Sequence, residues 1–190
     1  MPAKSNESDL KSLAKKLSEY VESTFEQLCK TSFIGEPEII VKDIIEYKTR
    51  MRLFGLEKFN GPCYISAVNL YLNDNELKKD HALGAVILYI EESVASGLLK
   101  ATGQKGIDCE DFDSITNYTG EFCSNIVSQF KNHLISSGYT NIVMSAPSNH
   151  QDDIPLGVNF KFSENKYCEL SFVLKKEPAI KVDFTIGPAK

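Results

Sequence analysis

The sequence lacks a hydrophobic run long enough to cross a membrane, and its first ten residues lack the apolar stretch of a signal peptide. These two absences predict a cytoplasmic protein with no membrane partner. The hydrophobic fraction of 42 % over 190 residues is that of a globular protein. We therefore predict one domain over residues 1–190, of which residues 1–7 are expected to be disordered.

Cysteine and histidine are too scattered to predict a metal site. The five cysteines contain no CxxC pair, which argues against both a thiolate metal site and a disulfide framework. The three histidines, His81, His133 and His150, have no metal-ligand spacing and no nucleophile motif beside them. A Gly-rich phosphate loop of Walker or Rossmann spacing is also missing. The sequence therefore predicts no metal and no bound cofactor.

Positive charge is in short supply. The chain has 21 Lys and Arg against 26 Asp and Glu, which gives a formal net charge of −5. Binding to nucleic-acid phosphates requires clustered positive charge, and Lys78, Lys79 and the Lys175–Lys176 pair are too few to supply it. The aromatic residues also fall at core spacings rather than among basic residues. We therefore predict no nucleic-acid partner.

Hydrophobic periodicity predicts both helices and strands. Apolar residues three or four apart predict helices over 5–29, 91–102 and 112–134. Alternating or continuous apolar runs predict strands over 47–53, 63–72, 84–90, 142–145, 157–162, 167–174 and 180–186, with polar connections over 73–81 and 148–155. These elements interleave too unevenly for a doubly wound parallel sheet. We therefore predict an α+β fold, with a largely antiparallel or mixed sheet packed by an N-terminal helix, a short helix and a long helix.

The long helix is predicted to have one apolar and one polar side. The apolar side carries Phe112, Ile115, Phe122, Ile126, Phe130 and Leu134. The polar side carries Asp113, Asn117, Glu121, Ser124, Ser128 and Lys131. Asn125 follows Glu121 by one helical turn, so its amide can stand beside the carboxylate. A carboxylate can bind a partner's cation, and an amide can orient a water molecule. The same pattern also fits an ordinary solvated helix side with no further role.

Four segments, taken in order, have a familiar arrangement. They are Tyr20–Phe25 in the first helix, Gly84–Gly103, Thr119–Leu134 and Ile142–Pro147. In this order they resemble the CheC/CheX-like family of chemotaxis phosphatases, and specifically its single-site CheX-like branch. The third segment is similar to the family's signature helix, which carries a Glu-x-x-Asn motif. In the family, the Glu contacts a phosphorylated CheY-type response regulator, and the Asn positions the water that attacks its aspartyl phosphate.

The resemblance assigns roles to residues of the long helix, although the motif diverges. Glu121 stands at the place of the family's Glu, but Ser124 stands where the family has Asn. Asn125 comes one position later, which turns its side chain by about 100° around the helix. Ser128 stands where the family has a Gly after the motif. The resemblance thus implies Glu121, Ser124 and Asn125 as catalytic candidates, and Asn117, Glu121 and Ser128 as partner-binding candidates.

Two functions are compatible with this resemblance. One is hydrolysis of the aspartyl phosphate of a CheY-type regulator, which would carry its own Mg²⁺, so that this chain needs no cofactor. The alternative is a CheX-like binding or dimerisation module that has lost the catalytic Asn. Exposed edge strands in such a sheet also predict a homodimer. The region 55–83 holds more strand and loop than a minimal family member, and no role is predicted for it.

Overall fold

The computed structural model describes residues 7–159 and 165–189. Within these ranges the helices are α1 (Glu7–Cys29), α2 (Gly55–Phe59), α3 (Asp74–Lys78), α4 (Glu92–Ala101) and α5 (Phe112–Ser136). The strands are β1 (Glu38–Asp43), β2 (Glu46–Tyr47), β3 (Arg50–Met51), β4 (Cys63–Tyr71), β5 (Gly84–Glu91), β6 (Val143–Met144), β7 (Ser148–Gln151), β8 (Val158–Asn159), β9 (Lys166–Leu174) and β10 (Glu177–Ile186).

Seven of these strands form one sheet in which every pairing is antiparallel. The order is β1-β9-β10-β5-β4-β6, and β7 pairs with β4 along the same edge as β6. Strands β2, β3 and β8 form a separate small sheet. The predicted α+β class with a largely antiparallel sheet is confirmed.

Helices α1, α4 and α5 cover one face of the large sheet. Their apolar sides and the inward residues of the strands form the main core. Phe25 of α1 packs 5.3 Å from Phe122 of α5, and Phe130 of α5 packs 5.3 Å from Phe184 of β10, measured between ring centroids. These contacts fix which side of α5 faces the sheet. Among the helices that the structure describes, none combines the length and the hydrophobicity needed to cross a membrane.

Residues 47–53 form a hairpin rather than the single strand that their alternating pattern predicts. Lys48 and Thr49 have positive φ values of 50° and 61°, so the chain reverses between β2 and β3. Two consecutive residues of positive φ make the hairpin turn that best matches the twist of its strands. As a result Tyr47 is 55 % exposed, whereas Met51 is buried.

Two segments predicted as polar connections contain regular structure. Residues 73–81 include α3, which begins where the Asn73 side chain accepts hydrogen bonds from the backbone N–H groups of Asn75 and Glu76. Residues 148–155 include β7, an edge strand whose backbone pairs with β4. Hydrophobic periodicity does not predict either element, because both consist largely of polar residues and neither buries a continuous apolar stripe.

Two other predictions concern segments that lie partly outside the described residues. The strand predicted over 157–162 corresponds to β8 as far as residue 159, and the remainder lies outside the described residues. Residues 1–6 of the segment expected to be disordered also lie outside them. Glu7, the last residue of that segment, belongs to α1.

A smaller core lies on the second face of the large sheet, under the β2–β3 hairpin and α2. Beside it, Glu169 of β9 and Asp183 of β10 face each other as direct cross-strand partners. Lys58 of α2 bridges the two carboxylates: its Nζ donates to Glu169 Oε2 at 2.5 Å and to Asp183 Oδ1 at 2.7 Å. The Tyr89 hydroxyl donates to the other Asp183 oxygen at 2.8 Å. All four side chains are buried or nearly so.

Burial and the nearby ammonium groups act differently on the two carboxyls. Burial opposes ionisation of Glu169, but Lys58, Lys42 and Lys181 outweigh it and lower the pKa of Glu169 to about 2. At Asp183 burial is complete and raises the pKa, although Lys58 opposes the change. Like charges directly opposite each other in a sheet are destabilising. The Lys58 ammonium is therefore what makes this pairing of β9 with β10 tolerable.

We expect Lys58→Met to lower the free energy of unfolding by about 3–5 kcal/mol at pH 7, because two buried carboxylates lose their shared cation. Without Lys58, burial and mutual repulsion favour the protonated carboxyls, so the variant binds more protons when folded. The stability deficit should therefore shrink as the pH falls toward about 4. Urea unfolding at the two pH values measures both effects.

Lys48→Met, on the exposed hairpin turn, is the matched control and should change stability by less than about 1 kcal/mol. A Lys58→Met deficit as small as that of the control would contradict this account. A large deficit that is the same at both pH values would also contradict it.

Candidate functional site

Helix α5 is held firmly at both ends. Asp111 Oδ2 accepts hydrogen bonds from the backbone N–H and the hydroxyl of Ser114, at 2.9 and 3.0 Å. At the other end Gly138 has a φ of +105°, the backbone region for which glycine is favoured after a helix. Five members of the predicted apolar side are buried: Ile115, Phe122, Ile126, Phe130 and Leu134. The opposite side of α5 therefore faces solvent.

Phe112 is the exception on the predicted apolar side, because it is 47 % exposed. It is the first residue of α5, so no preceding helical turn shields it. Its ring centroid lies 6.1 Å from that of Tyr64 on β4. Phe112 therefore lies on the apolar side of α5, as its spacing predicts, but its ring stays partly exposed at the N-terminal end of the helix.

The predicted polar candidates lie together on the outer side of α5. Asn117, Glu121, Asn125 and Ser128 are exposed, and Ser124 is half-buried. Their spacing of three or four residues places them in one row along the helix. We call these five residues the α5 stripe. Four of its five side chains are exposed on the outside of a helix, which suits contact with a macromolecule.

Within the α5 stripe, Asn125 and Ser124 flank Glu121 on opposite sides. Helical rotation places Asn125 about 40° to one side of Glu121 and Ser124 about 60° to the other. Asn125 Nδ2 donates a hydrogen bond to the backbone carbonyl of Glu121 at 2.9 Å. That bond uses one amide N–H, so the second N–H and the amide oxygen retain the capacity to hold a water.

Strand β7 packs against the Ser124 side of α5 through Gly120. A Cβ at Gly120 would lie 2.5 Å from Nδ2 and 2.7 Å from Oδ1 of Asn149, far closer than atoms can approach. The Asn149 amide is itself held, because its Oδ1 accepts a hydrogen bond from Ser66 Oγ at 2.8 Å. Sequence reasoning missed this contact. A glycine inside a strong helical period was the available signal, since such a glycine usually has a packing reason.

The other side of α5 contacts α1 and the segment after α4. Gln129 Nε2 donates to Thr24 Oγ1 of α1 at 3.2 Å, and the Tyr118 hydroxyl donates to Gln104 Oε1. Burial, together with the nearby Glu121 carboxylate, raises the pKa of Tyr118. Its hydroxyl therefore stays a neutral donor that fixes the flank of the helix. The α5 stripe therefore lies between β7 on one side and α1 with the segment after α4 on the other.

The other side chains that could bind a metal or react do not form a second site with the α5 stripe in the described residues. No group of three or more His, Cys, Asp and Glu side chains in residues 7–159 and 165–189 could hold a metal ion. Cys123 lies on the buried side of α5, where burial raises the pKa of its thiol to about 12. His150 donates to or accepts from Ser148 Oγ at 2.7 Å on β7, and burial lowers its pKa. Asp152 accepts a hydrogen bond from the Cys63 backbone N–H, which is a structural role.

Comparison with known proteins finds no matching family model and no matching curated protein. Solved structures do match. The chemotaxis protein CheX of Vibrio vulnificus is 11 % identical with a TM-score of 0.58, and the alignment covers 91 % of this chain and 97 % of that one. CheX of Desulfovibrio desulfuricans is 14 % identical with a TM-score of 0.59, covering 92 % and 99 %.

A third similar structure is a complex of CheX, CheY, BeF3 and Mg²⁺ from Borrelia burgdorferi. It is 13 % identical with a TM-score of 0.54, and the alignment covers 93 % of this chain and 98 % of that one. Identities this low establish a shared architecture and nothing about chemistry. The coverage is nearly complete on both sides, however, so the likeness extends to the whole fold. This chain has the α+β fold of the CheC/CheX-like chemotaxis proteins.

Proposed function

We propose that this chain binds a phosphorylated CheY-type response regulator through the α5 stripe and accelerates hydrolysis of its aspartyl phosphate. The observation that carries the proposal is the exposure of Glu121 and Asn125 one helical turn apart on an anchored helix. A structural neighbour of this chain is a CheX in complex with CheY. A CheY-type protein is therefore a partner that this architecture can accept.

In this proposal Glu121 supplies the docking charge. Its exposed carboxylate lies at the centre of the row and would pair with a cation on the regulator. Asn117 and Ser128 lie on either side of it along the helix, and the row from one to the other is about 16 Å long. Both are exposed and can hydrogen-bond to the partner. A row of this length fits into a surface groove as a ridge.

Asn125 is the proposed water-positioning group. Phosphoryl transfer from an aspartyl phosphate depends on positioning and electrostatics rather than on a covalent protein intermediate. An amide oxygen can accept a hydrogen bond from the attacking water while the amide N–H donates one to another oxygen, which fixes the water's orientation. Rotation of the exposed Asn125 side chain away from the Glu121 carbonyl takes picoseconds to nanoseconds. Ser124 can assist from the opposite side, and the regulator supplies its own Mg²⁺.

One contact favours a second candidate function, binding without hydrolysis. The Asn125 amide is already hydrogen-bonded to its own helix at 2.9 Å. If that bond persists in the complex, the stripe docks the regulator and leaves the phosphate untouched. The two functions share Glu121 and differ in the role of Asn125, so one set of variants separates them.

The test follows the decay of phosphate on purified CheY-type regulators with and without this protein. We expect acceleration by the wild type, a loss of about 10²-fold for Asn125→Ala through lost positioning, and about tenfold weaker binding for Glu121→Ala through a lost charge contact. Ser124→Asn, which restores the family's motif, should keep or raise the rate.

Asn132→Ala is the matched control, because Asn132 is also exposed on α5 but lies beyond the stripe. It should leave the rate unchanged. Binding by the wild type that depends on Glu121, together with activity appearing in Ser124→Asn alone, would instead establish the non-catalytic module. Absence of binding to every regulator tested would refute both functions.

We also propose that two copies of this chain pair through β1, an outer strand of the large sheet. A two-fold axis through Ile40 would place Glu38 opposite Lys42 of the second copy and Ile39 opposite its Val41. Opposite charges and aliphatic pairs across neighbouring strands are favourable. Ile40 itself, 39 % exposed, would meet its own copy at the axis. The strand is thus complementary to itself.

We expect Ile40→Lys to shift this protein from dimer to monomer, because a charge on an edge strand blocks edge-to-edge pairing. Light scattering after size exclusion measures the mass. Ile135→Lys is the matched control, since Ile135 is also 39 % exposed but lies on α5. A wild type that stays monomeric at high concentration, or a dimer that both substitutions leave intact, would contradict the β1 pairing.

A further inference from the structure

A cavity of about 140 Å³ opens on the second face of the large sheet, on the opposite side from α5. Its floor is formed by the Lys58, Glu169 and Asp183 cluster, and Arg52 and Glu57 line it from the segment after β3 and from α2. The space is sufficient for a few water molecules or one small ion. None of these residues belongs to the α5 stripe.

Each carboxylate oxygen on the floor of this cavity already accepts a hydrogen bond from a side chain of the protein. Glu169 Oε1 accepts from Lys42 at 2.8 Å and from Lys181 at 3.4 Å, and its Oε2 accepts from Lys58. Asp183 accepts from Lys58 and from Tyr89. Every oxygen of the two groups is therefore occupied. A cationic ligand would therefore compete with Lys42, Lys58 and Lys181, which already neutralise these carboxylates.

Several donors, in contrast, have capacity left. An ammonium carries three N–H groups, and the Lys42 and Lys181 amines each contact one carboxylate oxygen. The Arg52 guanidinium lies over the Phe54 ring, 5.2 Å from Cζ to the centroid, and has no carboxylate within ion-pair distance in the described part of the chain. The Tyr167 hydroxyl has no hydrogen bond to a described residue, and burial raises its pKa to about 12, so it remains a donor.

The charged side chains that line the cavity also favour an anionic ligand. Four cationic side chains and three carboxylates line the cavity, which leaves one positive charge in excess. They are Lys42, Arg52, Lys58 and Lys181 against Glu57, Glu169 and Asp183. The whole chain carries a net charge of −5, so this local excess has the opposite sign. Buried ion pairs add little net stability compared with apolar packing, so packing alone gives no reason for a cluster of this composition.

We infer that this cavity is a binding site for one small oxyanion, a carboxylate or a phosphate group, held by Arg52, Lys181 and the Tyr167 hydroxyl. Lys58 is the structural tether of the site: it neutralises the floor and does not contact the anion. Arginine suits the position at the mouth, because its planar guanidinium can pair with two oxygens of one oxyanion. The site is independent of the proposed phosphatase function.

Isothermal titration of the full chain with inorganic phosphate and, separately, with acetate tests this inference, with ionic strength held constant by sodium chloride. We expect saturable binding of one anion per chain by at least one of the two probes, and the stronger probe identifies the oxyanion class. Arg52→Gln and Tyr167→Phe should weaken that binding by about tenfold or more, which corresponds to loss of one charged or polar contact.

Lys48→Gln is the matched control, because it removes a positive charge from the same hairpin without touching the cavity. It should bind like the wild type. The far-UV circular dichroism of each variant verifies that it is folded, and the exposure of Arg52 makes Arg52→Gln a safe substitution. Binding of neither probe would overturn the inference. An equal loss of affinity in Lys48→Gln and Arg52→Gln would also overturn it, because it would indicate general attraction to a basic surface.

Discussion

The packing of the apolar side of α5 on the large sheet is the constraint on which the rest of the site depends. Phe122 and Phe130 anchor the helix between α1 and β10, and Gly120 lets β7 approach on the other side. Once these contacts are made, the helix has no freedom to rotate. The row from Asn117 to Ser128 must then face solvent, so the position of the stripe follows from the core rather than from interactions among its own polar groups.

Different interactions predominate on the two faces of the large sheet. The face under α1, α4 and α5 is stabilised by apolar burial, which is non-directional and tolerates variation in shape. The second face contains a buried Lys58–Glu169–Asp183 cluster, where removal of one partner leaves uncompensated charge. One face thus positions α5 and its exposed stripe, and the other forms a charged cavity. The region 55–83, for which the sequence suggests no role, supplies Lys58 to this second face.

The sequence predicts α5, α1, β4 and β5 well because each carries a strong period or a continuous apolar run. It fails where the signal is short or polar. The β2–β3 hairpin mimics one alternating strand, since its turn residues Lys48 and Thr49 continue the alternation. The β7 strand is polar on both sides.

The candidate site likewise contains features that the sequence predicts and features that it does not. The stripe residues Glu121 and Asn125 can be predicted because helical spacing relates them. The contact of Gly120 with Asn149 and the bridge from Lys58 to Asp183 join residues far apart in the sequence, 125 positions in the second case. Such contacts depend on strand order, which a single sequence does not reveal. Those tertiary contacts hold the stripe in place and build the charged cavity.

The central claim is that the α5 stripe is the surface that receives a CheY-type regulator. Titration of isotopically labelled protein with a BeF3-activated CheY-type regulator, followed by amide chemical shifts in NMR, tests it most directly. If the stripe receives the regulator, the largest shift changes will lie on Asn117, Glu121, Asn125 and Ser128. Changes confined to β1, to the β2–β3 hairpin or to the charged cavity, with the stripe unaffected, would contradict it.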